Sequence, residues 1–257
     1  MSFDVNNEVA KLGFNRPDAA NTFNLEICQD FLSAVSECEA RRDIRAVVLT
    51  GEGKMFSAGG DLKYFYNQGA QLSTALKEIT GLLHASVSRM ARMDAPVVGA
   101  VNGMAAGAGL SVAAACDYVV AGDSCKFKLA YTAAGLSPDG SSTWFLPRLI
   151  GLRKARELML TNRTVTAEEA QEIGMIDKIV PDSEVETAAI QQAEAFAKGP
   201  TRAYGAVKKL LQDTWSFDLE TQMDKETLSI CELSETNDAK NGIRSFVQKT
   251  PAAFKGN

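Results

Sequence analysis

The stretch Pro96-Val-Val-Gly-Ala-Val-Asn-Gly-Met-Ala-Ala-Gly-Ala-Gly-Leu-Ser-Val-Ala-Ala-Ala-Cys-Asp-Tyr-Val-Val-Ala121 carries the fold assignment. Its first six residues are short-run, apolar and rich in β-branched side chains, as in a strand covered on both faces. Asn102 to Cys116 is built almost wholly of small residues, and Asp117 to Ala121 is strand-like again. Strand, small-residue turn, helix and strand in one short stretch make a βαβ-like unit, the mark of an α/β core.

Working outward, Arg45-Ala-Val-Val-Leu-Thr50 reads as a second buried strand. It runs into the glycine-rich loop Gly51-Glu-Gly-Lys-Met-Phe-Ser-Ala-Gly-Gly60. Leu25, Ile27, Phe31, Leu32, Val35 and Cys38 recur at helical spacing across 24–41, with Asn24 and Glu26 as the start. Residues 8–14 alternate as a strand that stops at Asn15-Arg16-Pro17, and 70–93 predicts a helix. After Ala121 the strand-type residues fade. Helices are predicted over 151–162, from Thr166 (Thr166-Ala-Glu-Glu169 fits a capping box), and over 183–198, 200–213 and 216–234. A strand-like piece, Ile176 to Val180, lies among them. The expected organisation is an α/β core over residues 1–195 and a helical segment over 196–257.

The chain has 257 residues, 46% hydrophobic and 23% charged, enough for a sizeable core and unlike a disordered or repeat-built chain. Its 27 basic and 32 acidic residues leave a net charge of −5, which argues against a nucleic-acid or polybasic membrane partner. No apolar run reaches the ~18 residues of a membrane span, and no signal peptide is visible. The five cysteines are scattered, with no C-x-x-C pair, and His84 is the only histidine. The reading is free thiols in a reducing cytoplasm and no metal site.

Two glycine-rich turns follow buried strands, Ser57-Ala-Gly-Gly60 and Gly103 to Gly109. Neither ends in a Walker Gly-Lys-Ser/Thr, and neither is a G-x-G-x-x-G dinucleotide fingerprint. Small residues let a ligand approach the backbone, so the two turns can point their N–H groups at one oxygen. Tight helix–strand packing explains the same residues. Asp139, in Ser137-Pro-Asp-Gly-Ser-Ser142, reads locally as a turn or N-cap aspartate. His84, Tyr131, Ser111 and Asp61 equally admit ordinary structural roles.

At these residues the chain resembles the crotonase (enoyl-CoA hydratase/isomerase) superfamily over nearly its whole length. The resemblance is carried by Asn15-Arg16-Pro17 with Asn21 and Asn24, by Phe56-Ser-Ala-Gly-Gly-Asp-Leu62 and by Ala95 to Asp117. Gly135-Leu-Ser-Pro-Asp-Gly140, Leu146-Pro-Arg148, Glu157 to Thr161, Glu169 to Pro181 and Lys249-Thr-Pro-Ala-Ala-Phe254 continue it. It implies a spiral of ββα turns with a helical C-terminal trimerisation region, and a homotrimer or hexamer in the cytoplasm. The implied partner is an acyl-CoA thioester, with no cofactor beyond the coenzyme A of the substrate. The N–H groups of Gly60 and Ala108 are the implied oxyanion donors. Ala58, Gly59, Asp61, Leu62 and Tyr131 are the implied substrate contacts, with variable stretches 62–80 and 131–134 lining the pocket. Lys249 and Phe254 are placed on the coenzyme A. The two glutamates of classical hydratases fall at Ser111 and Tyr131, so simple water addition is not expected. Asp139 stands where double-bond isomerases hold their acid, and its surroundings are similar to ring-opening isomerases. The 4-chlorobenzoyl-CoA dehalogenases offer a second reading, with Asp139 as nucleophile and His84 as base. A catalytically silent acyl-CoA-binding homologue is a third.

Overall fold

The structure is a computed structural model that describes residues 1–257. The chain opens with a hairpin, β1 (Ser2–Asn6) and β2 (Val9–Phe14), followed by α1 (Leu25–Ala40) and β3 (Ala46–Gly51). Then come α2 (Leu62–Asn67), α3 (Leu72–Arg92), β4 (Val97–Val101), the two-residue strand β5 (Ala105–Ala106) and α4 (Ala108–Ala114). Next are β6 (Tyr118–Gly122), β7 (Lys126–Lys128), α5 (Ser142–Ile150), α6 (Leu152–Thr161), β8 (Val165–Thr166), α7 (Ala167–Glu172) and β9 (Lys178–Val180). Four helices close the chain: α8 (Val185–Ala197), α9 (Thr201–Asp213), α10 (Leu219–Ser234) and α11 (Asn237–Gln248).

Six strands form one sheet in the order β1-β2-β3-β4-β6-β9, parallel except for the antiparallel first pair. Its central strands are apolar on both faces because both faces are covered. Val47, Leu49, Val97, Val101, Val119 and Ala121 point into the main core with α1 and α3. Their neighbours Ala46, Val48, Val98, Ala100 and Val120 meet the Val185, Ala189, Ala193, Ala197 stripe of α8 on the other face. A second sheet, β5-β7-β8, lies beyond the C-terminal ends of the large sheet's strands and crosses back on the chain as a ββα spiral does.

The structure adds elements to the sequence reading. β1 pairs with β2 through the two-residue turn Asn7-Glu8, both at positive φ, the geometry that suits a hairpin's twist. Strand structure does not end at Ala121, because β7 and β8 are too short to show alternation. α11 covers a stretch the sequence reading left as tail. The Thr166 hydroxyl caps the Glu169 N–H at 3.3 Å, but Glu169 turns its carboxylate to Arg163, so only half of the capping box forms.

The helical C-terminus is tied to the core by one buried lysine. Lys208 Nζ reaches the carbonyls of Met90 (2.8 Å) and Ala95 (3.2 Å) and the carboxylate of Asp117 (2.7 Å). The tail folds back on the N-terminal end of β3, where Arg45 donates to the carbonyls of Phe254 and Gly199.

Candidate active site

The two glycine-rich turns leave the C-terminal ends of neighbouring parallel strands, β3 and β4, the edge where open α/β sheets place their ligands. They are stitched to each other. The Ala106 N–H donates to the Ser57 carbonyl at 2.8 Å, and the Ser57 N–H to the Met104 carbonyl at 3.2 Å. Gly59 makes this approach possible. Its φ is +92°, and a Cβ there would lie 2.6 Å from the Ala106 oxygen. The loop carrying Gly60 is anchored below by Phe14, Phe23 and Phe56, whose rings meet edge-on. Phe23 binds the loop directly, donating to the Gly59 carbonyl at 2.7 Å and accepting from the Asp61 N–H at 2.9 Å.

These contacts leave two main-chain donors. The Gly60 N–H makes no hydrogen bond within the chain. The Ala108 N–H opens α4, ahead of the helical ladder. Gly60 and Ala108 line the same cavity, of about 220 Å³, together with Ala58, Leu62, Tyr131 and Asp139. Leu76, Ile79 and Leu83 of α3, with Phe65, Leu129 and Leu136, make most of its wall apolar. Asp139 is the one carboxylate among the lining residues.

Asp139 does not stand alone. The Tyr131 hydroxyl donates to Asp139 Oδ1 at 2.6 Å, and Ser111 Oγ lies 2.9 Å from Tyr131 Oη. Burial, reinforced by the Asp139 charge, pushes the Tyr131 phenol far above its ordinary range. Tyr131 therefore keeps its single proton and donates it in the hydrogen bond to Asp139, while Ser111 Oγ lies between Tyr131 Oη and the Gly107 carbonyl at 3.2 Å. No protein donor reaches Asp139 Oδ2. Burial and the same carboxylate push the thiol of Cys28, behind the site, up to about 12, so it stays protonated.

The remaining sequence-derived candidates are placed differently. Gly59 is buried between the turns and shapes the cavity without lining it. The Asp61 carboxylate caps α2 by accepting from the Tyr64 N–H at 2.9 Å and pairs with Arg16 at 3.1 Å. It braces the Gly60 loop from the Asn15-Arg16-Pro17 segment. His84 does not line the cavity; its Nε2 accepts the Gly140 N–H at 3.1 Å. Lys249 and Phe254 lie outside the cavity, and Phe254 sits at the opposite end of β3. The sequence reading treated Ser111, Tyr131 and Asp139 one at a time and missed their chain of hydrogen bonds. It also missed Phe23 and Leu83 as wall residues, because core and cavity side chains look alike in a periodic pattern.

The model of the family described as enoyl-CoA hydratase/isomerase matches residues 4–257. The chain belongs to this family. It is 34% identical to a 1,2-epoxyphenylacetyl-CoA isomerase of Escherichia coli, over 98% of this chain and 97% of that protein. It is 32% identical to 4-chlorobenzoyl coenzyme A dehalogenase-2 of an Arthrobacter species, over 90% and 84% of the two chains. The crystal structure of an enoyl-CoA hydratase from Polaromonas sp. JS666 superposes with a TM-score of 0.93 at 28% identity, covering 98% of both chains. The protein is thus an acyl-CoA enzyme of the crotonase superfamily with the crotonase fold. No helix is long and apolar enough to cross a membrane.

Proposed function

We propose that this enoyl-CoA hydratase/isomerase family member is an isomerase that moves a proton along the acyl chain with Asp139 as the only acid–base group. The supporting observation is the pairing of one tyrosine-bound carboxylate with two free main-chain donors in one apolar cavity. On a 3-enoyl thioester, Asp139 takes a proton from the α-carbon. The C–H electrons pass into the carbonyl, and the resulting enolate oxygen is held by the Gly60 and Ala108 N–H groups. The electrons then return through the conjugated system, and the γ-carbon takes the proton back from Asp139. The double bond has moved, and nothing enters or leaves. Coenzyme A serves only as part of the substrate. Ring-opening of an acyl-CoA calls on the same two elements, a single carboxylate and an enolate held by main-chain N–H groups.

Water addition is disfavoured because Ser111 and Tyr131 supply no carboxylate to activate water, and both are spent on orienting Asp139. Displacement through an Asp139 ester needs an imidazole to activate water in the cavity. The lone pair of His84 Nε2 is already given to Gly140.

The test is a panel of 3-enoyl-CoA, 2-enoyl-CoA, 4-halobenzoyl-CoA and saturated acyl-CoA on the wild type and Asp139→Asn. The expected result is turnover of 3-enoyl-CoA to 2-enoyl-CoA. Asp139→Asn is expected to lose ~10²–10⁴ in kcat, the usual weight of a positioned acid–base group. Acyl-CoA binding survives, since the oxyanion donors are main chain. Full activity in Asp139→Asn overturns the assignment. Acyl mass retained on Asp139 supports the ester route instead. Binding without turnover of any of the four favours a silent acyl-CoA-binding protein.

A further inference from the structure

The chain's only imidazole is engaged with the backbone beside the catalytic aspartate. His84 lies on α3 next to the cavity residue Leu83, and its Nε2 accepts the Gly140 N–H at 3.1 Å. A nitrogen that accepts carries no proton, so in this bond the ring N–H lies on Nδ1. The acceptor role matters because of which peptide it touches. The Gly140 N–H and the Asp139 carbonyl belong to one peptide plane. On the carbonyl side, Asp139 accepts from the Ser142 N–H at 3.2 Å and from the Ser142 hydroxyl at 3.1 Å. On the N–H side, it is held by His84.

Gly140 is buried at φ +59°, and a Cβ there would fall 2.9 Å from the Ser111 Cβ. A side chain is excluded and the left-handed conformation is required. With the plane pinned at both ends, the Cα–Cβ direction of Asp139 is set by the backbone, and Tyr131 then fixes the carboxylate itself.

We propose that His84 is a positioning residue: a lone-pair acceptor that locks the Asp139–Gly140 peptide and so aims the Asp139 carboxylate, handling no proton in the reaction. This rests on the reading of Asp139 as the group that acts on the acyl thioester. It assigns to the single histidine a role opposite to that of a water-activating base.

Two measurements test it. The first needs no variant. With one histidine in the chain, ¹⁵N NMR of the imidazole shows a single pair of ring nitrogens. The expected state at neutral pH is the Nδ1–H tautomer with an unprotonated Nε2, and an Nε2–H tautomer overturns the proposal. The second compares His84→Gln, whose amide oxygen can still accept, with His84→Leu, which cannot, both in the full-length protein. His84→Gln is expected to keep kcat on 3-enoyl-CoA within about 3-fold. His84→Leu is expected to lose ~10- to 100-fold in kcat, the range for a buried N–H left without a partner, with the Kd for saturated acyl-CoA unchanged. Equal loss in both variants, or retention of acyl mass on Asp139 in His84→Gln, overturns it by pointing to proton chemistry at the ring. Full activity in His84→Leu overturns it by showing that the bond aims nothing. If 3-enoyl-CoA is not a substrate, the isomerase reading fails, whereas the tautomer still decides the acceptor role.

Discussion

Tyr131 gives the Asp139 carboxylate its only side-chain donor, at 2.6 Å, and that bond has a measurable consequence. A hydrogen bond to a charged group contributes about 1.5–3 kcal/mol, and here it also selects one carboxylate orientation. Tyr131→Phe keeps the ring in the cavity wall and removes the donor. The expected outcome is a fall of ~10- to 100-fold in kcat on 3-enoyl-CoA, with little change in KM, checked by steady-state kinetics. The phenol adds a pH dependence whose sign follows from its burial. Its folded-state value is raised, so the fold holds the neutral phenol. That contribution is fully present below the ordinary phenol value of about 10 and is lost as pH rises above it. Thermal stability of the wild type should therefore drop through that alkaline range, and that of Tyr131→Phe should drop less. A variant that tracks the wild type at alkaline pH would sink this account. At this scale the sequence is informative about identity and silent about pairing. Asp139 stands out through its family position. That Tyr131, eight residues away, turns its hydroxyl onto it is a matter of side-chain direction, which spacing does not encode.

The cavity is made by how two turns meet, and its most sensitive point is Gly59. Gly59→Ala adds a methyl group 2.6 Å from the Ala106 oxygen and 3.1 Å from the Ala108 nitrogen, at a φ that L-residues avoid. Strain of this kind costs about 1–3 kcal/mol, and relieving it means parting the turns that aim the two N–H donors. The expected result is a loss of ~10²–10³ in kcat, the cost of one oxyanion donor, with secondary structure by circular dichroism unchanged. Retention of wild-type kcat would show that the approach of the two turns is not what forms the site. Elements of this size were legible where they carry a period. β3, β4, β6, α1 and α3 bury a face or two, and the apolar pattern follows. β5, β7 and β8 have two or three residues each, and no period exists in so few. α2 is set by the Asp61 cap on the Tyr64 N–H, a local signal that lies hidden inside the glycine-rich motif. α11 likewise begins at a capping residue, Thr236, whose hydroxyl accepts from the Ala239 N–H at 3.1 Å.

The C-terminal helices leave a large apolar surface that the single chain does not cover. Val207 and Leu211 on α9, Leu228 and Ile230 on α10, and Ile243, Phe246 and Val247 on α11 are all exposed, Phe246 at 87%. Exposed apolar side chains gathered on three consecutive helices are what an association face would present. Of these helices, α9 is fastened to the core through Lys208 and Asp117. A closed homo-oligomer buries such a face with least waste, since each copy offers the same patch in a fixed place. The position of the tail agrees. Phe254 sits at the N-terminal end of β3 and the cavity at the other, ~20 Å away for a strand of six residues, so a tail that contacts an acyl-CoA would have to do so in a neighbouring copy. The expected outcome is a trimer or hexamer by sedimentation at micromolar concentration. Phe246→Asp places a charge on this apolar face and is expected to shift the protein to smaller species. Its circular dichroism should remain that of the folded chain, because Phe246 makes no part of the core. A wild type that sediments as a monomer would leave the apolar face of α9 to α11 without the partner its geometry calls for.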